Sequence, residues 1–504
     1  MNEKRYISIS ASSHKSDSTN LKLFRALDSM EEYDQDKLQK LLGNSLYRNM
    51  AVIKQNLHKH IMRCLRNFHS GTNEAISMYE MLIEFSVMLE KKNTAEAKKI
   101  LIKLENLATE FNNYDVLNIC YKYERKLNIS RLTIKTDKEI NDFNRKYTGT
   151  IKKLYCDSNY RHLADLIQEF YLRKGVLRSE AERKHVKKFL QSPYLSNIKH
   201  AITQDSKELY HNLRGLCFLL LEQYEKALVC ESFQMTLIKK DIPYKVSRLK
   251  EYVAIYNNRV EMLMHIGRYK EALESVNEFR MLPSVAAKEK WTYKIPVSIK
   301  DEIEISCFRM EVRIYFKSAN FDKMLLTYDA LESKIKRSKI EQDGFAIIDD
   351  NYYTAYGHFI SGNYKQTLVY LKRILKYGKD DKIYREDIYS FCKILQLITH
   401  YEMEDEQLSA YLLKSTYRFL AQRKRLYPTE EALMLFMRNQ LHRSSNPDLF
   451  NQNLMKLKLS LEEATESGYE KKIVDYFDFI TWIESKLKRK PFSDILKNKY
   501  YAAL

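Results

Sequence analysis

The sequence contains few residues that break regular helices. There are 11 glycines and 7 prolines among 504 residues. Proteins built on β-sheets or on Rossmann-type folds need many turns with special backbone angles, which glycine and proline supply. Their scarcity argues against those classes, and it predicts an all-α protein in which long helices are joined by short polar loops.

Cysteines are also few, and none of them forms a CxxC pair. The seven lie far apart, mostly among apolar residues, at Cys64, Cys120, Cys156, Cys217, Cys230, Cys307 and Cys392. This pattern is typical of buried free thiols in a reducing compartment, and it disfavours a disulfide framework or a zinc site. No apolar run is long enough to span a bilayer, so we expect a cytoplasmic protein with no membrane partner.

Sequence motifs of catalytic and cofactor sites are missing. The chain has no GxGxxG, GxxxxGK, HExxH or GxSxG segment. His400 is followed by acidic residues at 402, 404 and 405, but metal ligands have to converge in space, and this stretch fits a polar loop better. We therefore expect no enzyme, no cofactor and no metal. An enzyme whose site is assembled from distant positions remains an alternative.

A short pattern recurs in the second half of the chain. Four segments, 222–228, 267–273, 319–325 and 362–368, each contain an aromatic residue, two polar residues, a small or medium residue and then Leu. The aromatic residues are Tyr224, Tyr269, Phe321 and Tyr364. The small or medium residues are Ala227, Ala272, Met324 and Thr367. Each segment follows one apolar helix and begins the next, which indicates internal repeats.

These segments resemble the turn and second helix of a tetratricopeptide repeat, in which two antiparallel helices pack closely at the small residue. Gly215 matches the family glycine of the first helix, and Val260, Val312 and Ala355 stand at the equivalent positions of the other three segments. The aromatic residues are 45, 52 and 43 residues apart, whereas the family repeat has about 34 residues. The resemblance implies a solenoid of αα-hairpins. Another stack of αα-hairpins is the alternative.

The predicted organisation has four parts. Residues 1–20 are polar and rich in serine, and they are predicted to form a disordered leader. A basic helical unit follows over 21–75. Tetratricopeptide-like repeats extend over 76–400 and are clearest at 208–378. Residues 401–504 lack the motif but keep a helical pattern, so they are predicted to form a C-terminal helical cap that covers the last apolar face of the solenoid.

The charge distribution contains one unusual segment. The formal net charge is +19, but lysine and glutamate alternate along most helices, which is typical of a solvated surface. Between Lys37 and Asn73 there is no acidic residue. Within this segment Lys59, Arg63 and Arg66 stand four and three residues apart, so they share one face of a predicted helix. An ordinary amphipathic helix explains the pattern, and a DNA-binding helix is the alternative.

The family resemblance also implies where a partner binds. In tetratricopeptide proteins the first helix of each repeat lines the concave face, where Asn side chains hold an extended ligand segment. The partner-binding residues predicted in this way are Asn212, Asn257, Asn258, Glu261, Arg309, Arg313, Tyr352 and Tyr356, with Tyr353 beside them. The arginines and tyrosines suit an acidic or aromatic segment. The alternative is that Asn257 and Asn258 cap or bridge helices and that the tyrosines belong to the core.

The preferred function is therefore a scaffold or adaptor that binds a protein or peptide segment. A transcription regulator is the alternative, in which the N-terminal unit binds nucleic acid and the repeats act as a sensor. The sequence does not specify the oligomeric state.

Overall fold

The computed structural model describes residues 3–12, 18–30, 33–43, 47, 49–69, 74–130, 136–242, 248–292, 294–342, 344–376, 385–440, 447–466, 473–474 and 476–502. Among these residues all regular structure is helical, and no strand occurs. The helices are α1 (Glu3–Ser12), α2 (Ser18–Asp28), α3 (Gln35–Leu42), α4 (Met50–His69), α5 (Glu74–Glu90), α6 (Thr94–Glu110), α7 (Tyr114–Ser130), α8 (Asp137–Lys174), α9 (Glu180–Leu190), α10 (Pro193–Ser196), α11 (Gln204–Leu220), α12 (Tyr224–Asp241), α13 (Leu249–His265), α14 (Tyr269–Arg280), α15 (Leu282–Lys288), α16 (Val297–Lys317), α17 (Phe321–Ser338), α18 (Gly344–Ile360), α19 (Tyr364–Leu375), α20 (Glu386–Glu402), α21 (Glu406–Gln422), α22 (Pro428–Gln440), α23 (Pro447–Glu466), α24 (Phe479–Lys488) and α25 (Phe492–Ala502).

The four repeat segments join pairs of helices that pack against each other: α11 with α12, α13 with α14, α16 with α17, and α18 with α19. Their aromatic residues are the first residues of the second helices. The small or medium residues Ala227, Ala272, Met324 and Thr367 are completely buried. The predicted fold class, an all-α array of αα-hairpins, is therefore confirmed.

The turns between the paired helices share one backbone geometry. The second residue after the first helix is left-handed at Glu222, Gly267, Ala319 and Gly362, with φ between 53° and 76°. The next N–H then donates back to a carbonyl five residues earlier, as Gln223 does to Phe218 at 2.8 Å. This Schellman arrangement satisfies carbonyls that the helix end would leave unpaired. Because only two of the four positions are glycine, glycine alone does not reveal these turns in the sequence.

The same turn occurs outside the four segments, at Lys92, Asn112 and Glu404. The sequence also has two weaker matches to the repeat pattern, and the first consists of Asn113-Tyr114 with Leu117. The turn at Asn112 precedes α7, which begins at Tyr114 of this match. A second weak copy, at Asn159-Tyr160, lies inside the uninterrupted helix α8 and does not form a turn. Its aromatic residue is instead completely buried on one face of that helix.

Methionine replaces a small residue in the third hairpin, and the next hairpin accommodates it. A Cβ atom at Gly357 of α18 would overlap the side-chain end of Met324. The absence of a side chain at Gly357, in the first helix of the fourth hairpin, therefore leaves room for the side chain of Met324. Gly215 of α11 faces the second helix of its own hairpin, and the contact there is looser, because a Cβ atom at Gly215 would lie 3.5 Å from the Cβ of Cys230.

Contacts divide the chain into two units, Met1–Tyr155 and Cys156–Leu504, and the boundary falls inside α8. In the first unit α1 occupies part of the segment that the sequence predicts to be a disordered leader. Ile7 is buried, and the ring of Tyr6 meets Phe68 edge-on at 5.5 Å. These two apolar side chains give the segment a packed face, so a helix forms there instead of the predicted disorder.

The C-terminal region of the second unit packs onto α18. The Tyr352 hydroxyl donates to the carbonyl of Tyr476 at 3.0 Å, and the Tyr356 hydroxyl accepts from the N–H of Asp478 at 2.9 Å. Phe477 stacks on Tyr356 with ring centroids 5.1 Å apart. The helix α24 begins at Phe479, directly after this packed segment.

All seven cysteines are buried free thiols, as the sequence predicts. Burial raises the pKa of the Cys120, Cys217 and Cys307 thiols to about 12. Among the described helices none is both long enough and apolar enough to cross a membrane.

Candidate functional site

A cavity of about 570 Å³ lies in the second unit, and the first helices of the four repeat hairpins line one side of it. Leu216 and Leu219 of α11 form an apolar part of this wall, and Val312 of α16 adds to it. The polar part of the wall comes from α13, α16 and α18. Cavities of this volume are in the range of ligand pockets.

Five of the predicted partner-binding residues line the cavity: Asn257, Asn258, Glu261, Arg309 and Arg313. They come from two helices, α13 and α16, that pack against each other. The hairpin register predicted from the repeat pattern therefore places these side chains together, although they are up to 56 residues apart in the chain.

The other three predicted residues do not line this cavity. Asn212 lines a neighbouring pocket of about 20 Å³, to which Asn258 also contributes. Tyr352 and Tyr356 are in the core, and their hydroxyls bond to the C-terminal segment as described above. The intervening Tyr353 does line the cavity, because consecutive residues of a helix point in different directions.

Arg313 and Glu261 form the centre of the polar wall. Arg313 Nη1 lies 3.4 Å from Glu261 Oε2, and Arg313 Nη2 donates to Asn257 Oδ1 at 3.1 Å. His265 Nε2 lies 3.2 Å from the other oxygen of Glu261. Burial acts to raise the pKa of the Glu261 carboxyl, but the bond to His265 and the charge of Arg313 outweigh burial and hold the pKa well below its usual range. Glu261 is therefore a carboxylate.

A buried hydrogen-bond donor remains without a partner at this wall. Arg313 Nε is buried and makes no hydrogen bond to the described residues. Leaving a buried donor unpaired costs about 1–3 kcal/mol. An acceptor on a ligand in the cavity would remove this cost. Arg309, in contrast, uses its Nε, which donates to Asp350 at 2.8 Å, and its Nη2, which donates to Gln342.

The opposite side of the cavity contains residues that the repeat pattern did not indicate. Tyr171 and Gly175 come from the end of α8, and Asp349, Arg385 and Tyr476 come from distant parts of the second unit. Arg385 has a left-handed backbone with φ 56°. In the sequence the pair Asp349-Asp350 is typical of a helix start, whereas in the structure it lies in the second turn of α18.

Arg385 connects several acidic groups. Its guanidinium donates to Asp387 through two nitrogens, at 2.9 and 3.0 Å, and its Nη1 lies 3.3 Å from Asp349 Oδ1. Tyr476 also donates to Asp387. Burial raises the pKa of Asp349 to about 6, despite the opposing charges of Arg385 and Arg313. Burial therefore favours the protonated form of the Asp349 carboxyl.

A polar joint holds the end of α8 against the C-terminal half of the unit. We use "polar joint" for the contacts of residues 172–178 with residues 385–430. The N–H of Arg385 donates to the carbonyl of Leu172 at 2.8 Å, and Arg425 Nη2 donates to the carbonyl of Lys174 at 3.2 Å. Arg178 Nη2 donates to Glu430 Oε2 at 3.0 Å, and both side chains are buried.

The polar joint favours glycine at position 175 over any other residue, for two reasons. Its φ of 64° is left-handed, and a Cβ atom at this position would overlap the carboxylate of Asp387. The joint therefore brings the end of α8 close to Arg385 and Asp387, and it forms the wall of the cavity that faces the repeat hairpins.

The basic residues Lys59, Arg63 and Arg66 lie on α4 in the first unit and are exposed. The opposite face of α4 carries the buried residues Ile53 and Leu57, which belong to a small core with α2 and α3. The structure therefore places the three cations together on the solvent side of an amphipathic helix.

No group of three or more His, Cys, Asp or Glu side chains that could hold a metal ion occurs in the described part of the chain. His400 Nδ1 lies 3.5 Å from Asp405 Oδ2, but the nearby Glu402 is turned to other partners. Glu402 accepts from Trp482 at 2.8 Å and from Lys486.

No protein-family model and no curated protein matches the chain. Among solved structures it is similar to the apo form of the quorum sensor NprR from B. thuringiensis, with 14% identity, a TM-score of 0.41, and coverage of 85% of this chain and 97% of that chain. It is also similar to NprR in complex with its cognate peptide NprX, with 14% identity, a TM-score of 0.37, and coverage of 84% and 98%.

Proposed function

We propose that the chain is a non-catalytic binding protein that holds an extended peptide segment in the cavity between the repeat hairpins and the end of α8. The observation that carries this proposal is the convergence of Asn258, the unpaired Arg313 Nε and the Tyr353 ring at one wall of a cavity of about 570 Å³. An extended peptide presents alternating donors and acceptors, which an amide side chain can match at both of its ends.

The thiols of the chain support a binding function rather than nucleophilic catalysis. A thiol reacts as a thiolate, and burial raises the pKa of Cys120, Cys217 and Cys307 to about 12, so these three thiols stay protonated. Free thiols in this number are typical of a reducing compartment, which supports a cytoplasmic location.

The proposal is tested by selecting binders from a random peptide library displayed on phage, with the full chain as bait. Hydrogen exchange of the chain with and without a selected peptide then locates the site. Added protection is expected in 249–265, 297–317 and 344–360, because these helices carry the polar wall. Selected peptides that protect only other helices would disprove a site in this cavity, and a library without enriched sequences would argue against peptide binding altogether.

A second function is favoured by the exposed cations of α4. We propose as the second candidate that Lys59, Arg63 and Arg66 contact the phosphates of duplex DNA, since cations on one face of a helix with no nearby acidic residue suit phosphate contacts. A regulator would combine this contact with ligand binding in the second unit.

Fluorescence anisotropy with labelled duplex DNA at several salt concentrations tests this second function. If it is correct, changing Lys59, Arg63 and Arg66 together to Glu abolishes binding and its salt dependence. The matched control changes the exposed Lys91, Lys98 and Lys103 to Glu, with the same change in net charge. Equal loss in both variants would show that only net charge matters, and would refute a specific contact by α4.

A further inference from the structure

The arginines of the cavity are already matched by carboxylates. Arg309 lies 2.8 Å from Asp350, Arg313 lies 3.4 Å from Glu261, and Arg385 lies 3.3 Å from Asp349. The charged side chains that line the cavity are Arg309, Arg313, Lys317, Arg385, Glu261, Asp349 and Asp350, and Asp387 bonds to Arg385 next to them. Four cations thus stand against four carboxylates. An acidic group that enters the cavity would meet these carboxylates at close range, and like charges repel strongly where water is scarce.

The groups that remain available for a ligand are mostly neutral. The side-chain amide of Asn258 and the hydroxyls of Tyr171 and Tyr353 line the cavity, and none of them makes a hydrogen bond to the described residues. The unpaired Arg313 Nε is a donor on a guanidinium whose charge Glu261 already compensates. These groups suit the carbonyls and N–H groups of a peptide backbone, and none of them requires a charged side chain on the ligand.

The remaining part of the wall is apolar. Leu216 and Leu219 are three residues apart on α11, so they share one face, and both are only partly buried. Val176 continues this surface from the polar joint, and Val312 continues it from α16. An aliphatic or aromatic side chain placed here would bury apolar surface at about 25 cal/mol per Å².

From these three observations we infer that the cavity selects an uncharged, apolar peptide segment and discriminates against an acidic one. The inference rests on the proposed function, because it specifies the class of peptide that the same site accepts. It also revises the acidic partner that the arginines suggest in the sequence. In the sequence Arg309 and Arg313 appear as uncompensated cations, whereas in the structure each faces a carboxylate from a neighbouring helix.

Two measurements on the peptides selected from the phage library test the inference. The first is the net charge of the enriched sequences, which we expect to be near zero, with aliphatic or aromatic residues preferred over Asp and Glu. The second is the dependence of Kd on salt. Between about 50 mM and about 500 mM NaCl we expect Kd to change by less than about twofold, because an uncharged peptide forms no ion pair that salt could screen, and the charge of Arg313 is already compensated by Glu261.

The variant Glu261→Gln removes the carboxylate that faces Arg313 and keeps the shape of the side chain. Selection on this variant is expected to shift toward peptides with Asp or Glu, and their Kd is expected to rise by about tenfold over the same salt range. The control Glu274→Gln makes the same charge change at an exposed position of α14 and is expected to select the same neutral peptides as the original chain.

Two results would overturn the inference in different ways. Acidic, salt-sensitive peptides selected by the original chain would show that a peptide site exists but that its carboxylates do not set its preference. Absence of any enriched peptide would remove the proposed function itself, and this inference with it.

Discussion

The repeat hairpins and the polar joint are held together by different kinds of contact. In the hairpins, buried small residues such as Ala272 sit between helices that are adjacent in the chain. In the polar joint, buried charged groups such as Arg178 and Glu430 meet across 252 positions of sequence. The hairpins therefore depend on shape and apolar burial, and the joint depends on the pairing of buried charges. Substitutions should affect the two regions by different mechanisms.

The largest effect is expected in the polar joint. Arg178→Ala leaves the buried carboxylate of Glu430 without its partner, and breaking a buried ion pair in this way costs about 3–5 kcal/mol. Urea unfolding measures the change. The double variant Arg178→Met with Glu430→Leu removes both charges and should recover most of the lost stability. If the double variant is as unstable as Arg178→Ala, shape rather than charge pairing holds the joint.

A smaller effect is expected in the hairpins. Ala272→Ile places extra methylene groups between α13 and α14, where Ala272 is completely buried, and overpacking of this kind costs about 1–3 kcal/mol. The control Glu274→Ile introduces the same side chain at an exposed position of α14 and should change the free energy of unfolding by less than about 0.5 kcal/mol. Equal effects of the two substitutions would mean that the helix pair does not pack at residue 272.

Asp349 makes the joint side of the cavity sensitive to pH. Burial raises its pKa from the ordinary 3.8 to about 6, so the native state favours the protonated form. The contribution of Asp349 to stability is therefore fully present below pH 3.8 and is lost as the pH rises through about 6. Asp349→Asn stays neutral, so its stability relative to the original chain should increase by about 1–2 kcal/mol from about pH 4 to about pH 7. Urea unfolding at several pH values measures this. A constant difference would show that Arg385 fully offsets the burial of the carboxylate.

The smallest effect is expected for exposed charges. Changing Lys59, Arg63 and Arg66 together to Glu should alter the free energy of unfolding by less than about 1 kcal/mol, because all three are exposed on α4. Thermal unfolding followed by circular dichroism checks this. A large loss of stability would mean that these side chains have a structural role, in contrast to their solvent-facing position.

The comparison also explains what the sequence can predict. Ala227 and Tyr224 belong to a local pattern, so the helix pairs and the register of Asn257, Asn258 and Arg313 follow from neighbouring residues. The pairing of Arg309 with Asp350 and of Arg313 with Glu261 depends on contacts between hairpins, and the sequence therefore suggested an acidic ligand. Arg385 and Gly175 belong to no repeat, and only the folded chain shows that they meet at Asp387.

The tyrosines illustrate the limit of the helical register. Tyr352, Tyr353 and Tyr356 are close in sequence, and all three are aromatic residues that suit either a core or a binding face. A rotation of α18 by one residue would exchange the side chain that faces the cavity with one that faces the core. The contacts of Tyr352 and Tyr356 with residues 476–478 place these two tyrosines in the core. Residues 476–478 lie more than 100 positions away in the chain, so the local sequence does not show these contacts.

Binding of a selected peptide to the original chain and to Asn258→Ala, measured by isothermal titration calorimetry, tests the peptide site most directly. We expect Asn258→Ala to weaken binding by about five- to thirtyfold, because it removes one or two hydrogen bonds to the peptide backbone. The melting temperature should stay unchanged, since Asn258 makes no hydrogen bond to the described residues. The control Asn277→Ala, at an exposed position of α14, should bind with the original affinity. Equal affinity of the original chain and Asn258→Ala would contradict peptide binding at this wall of the cavity.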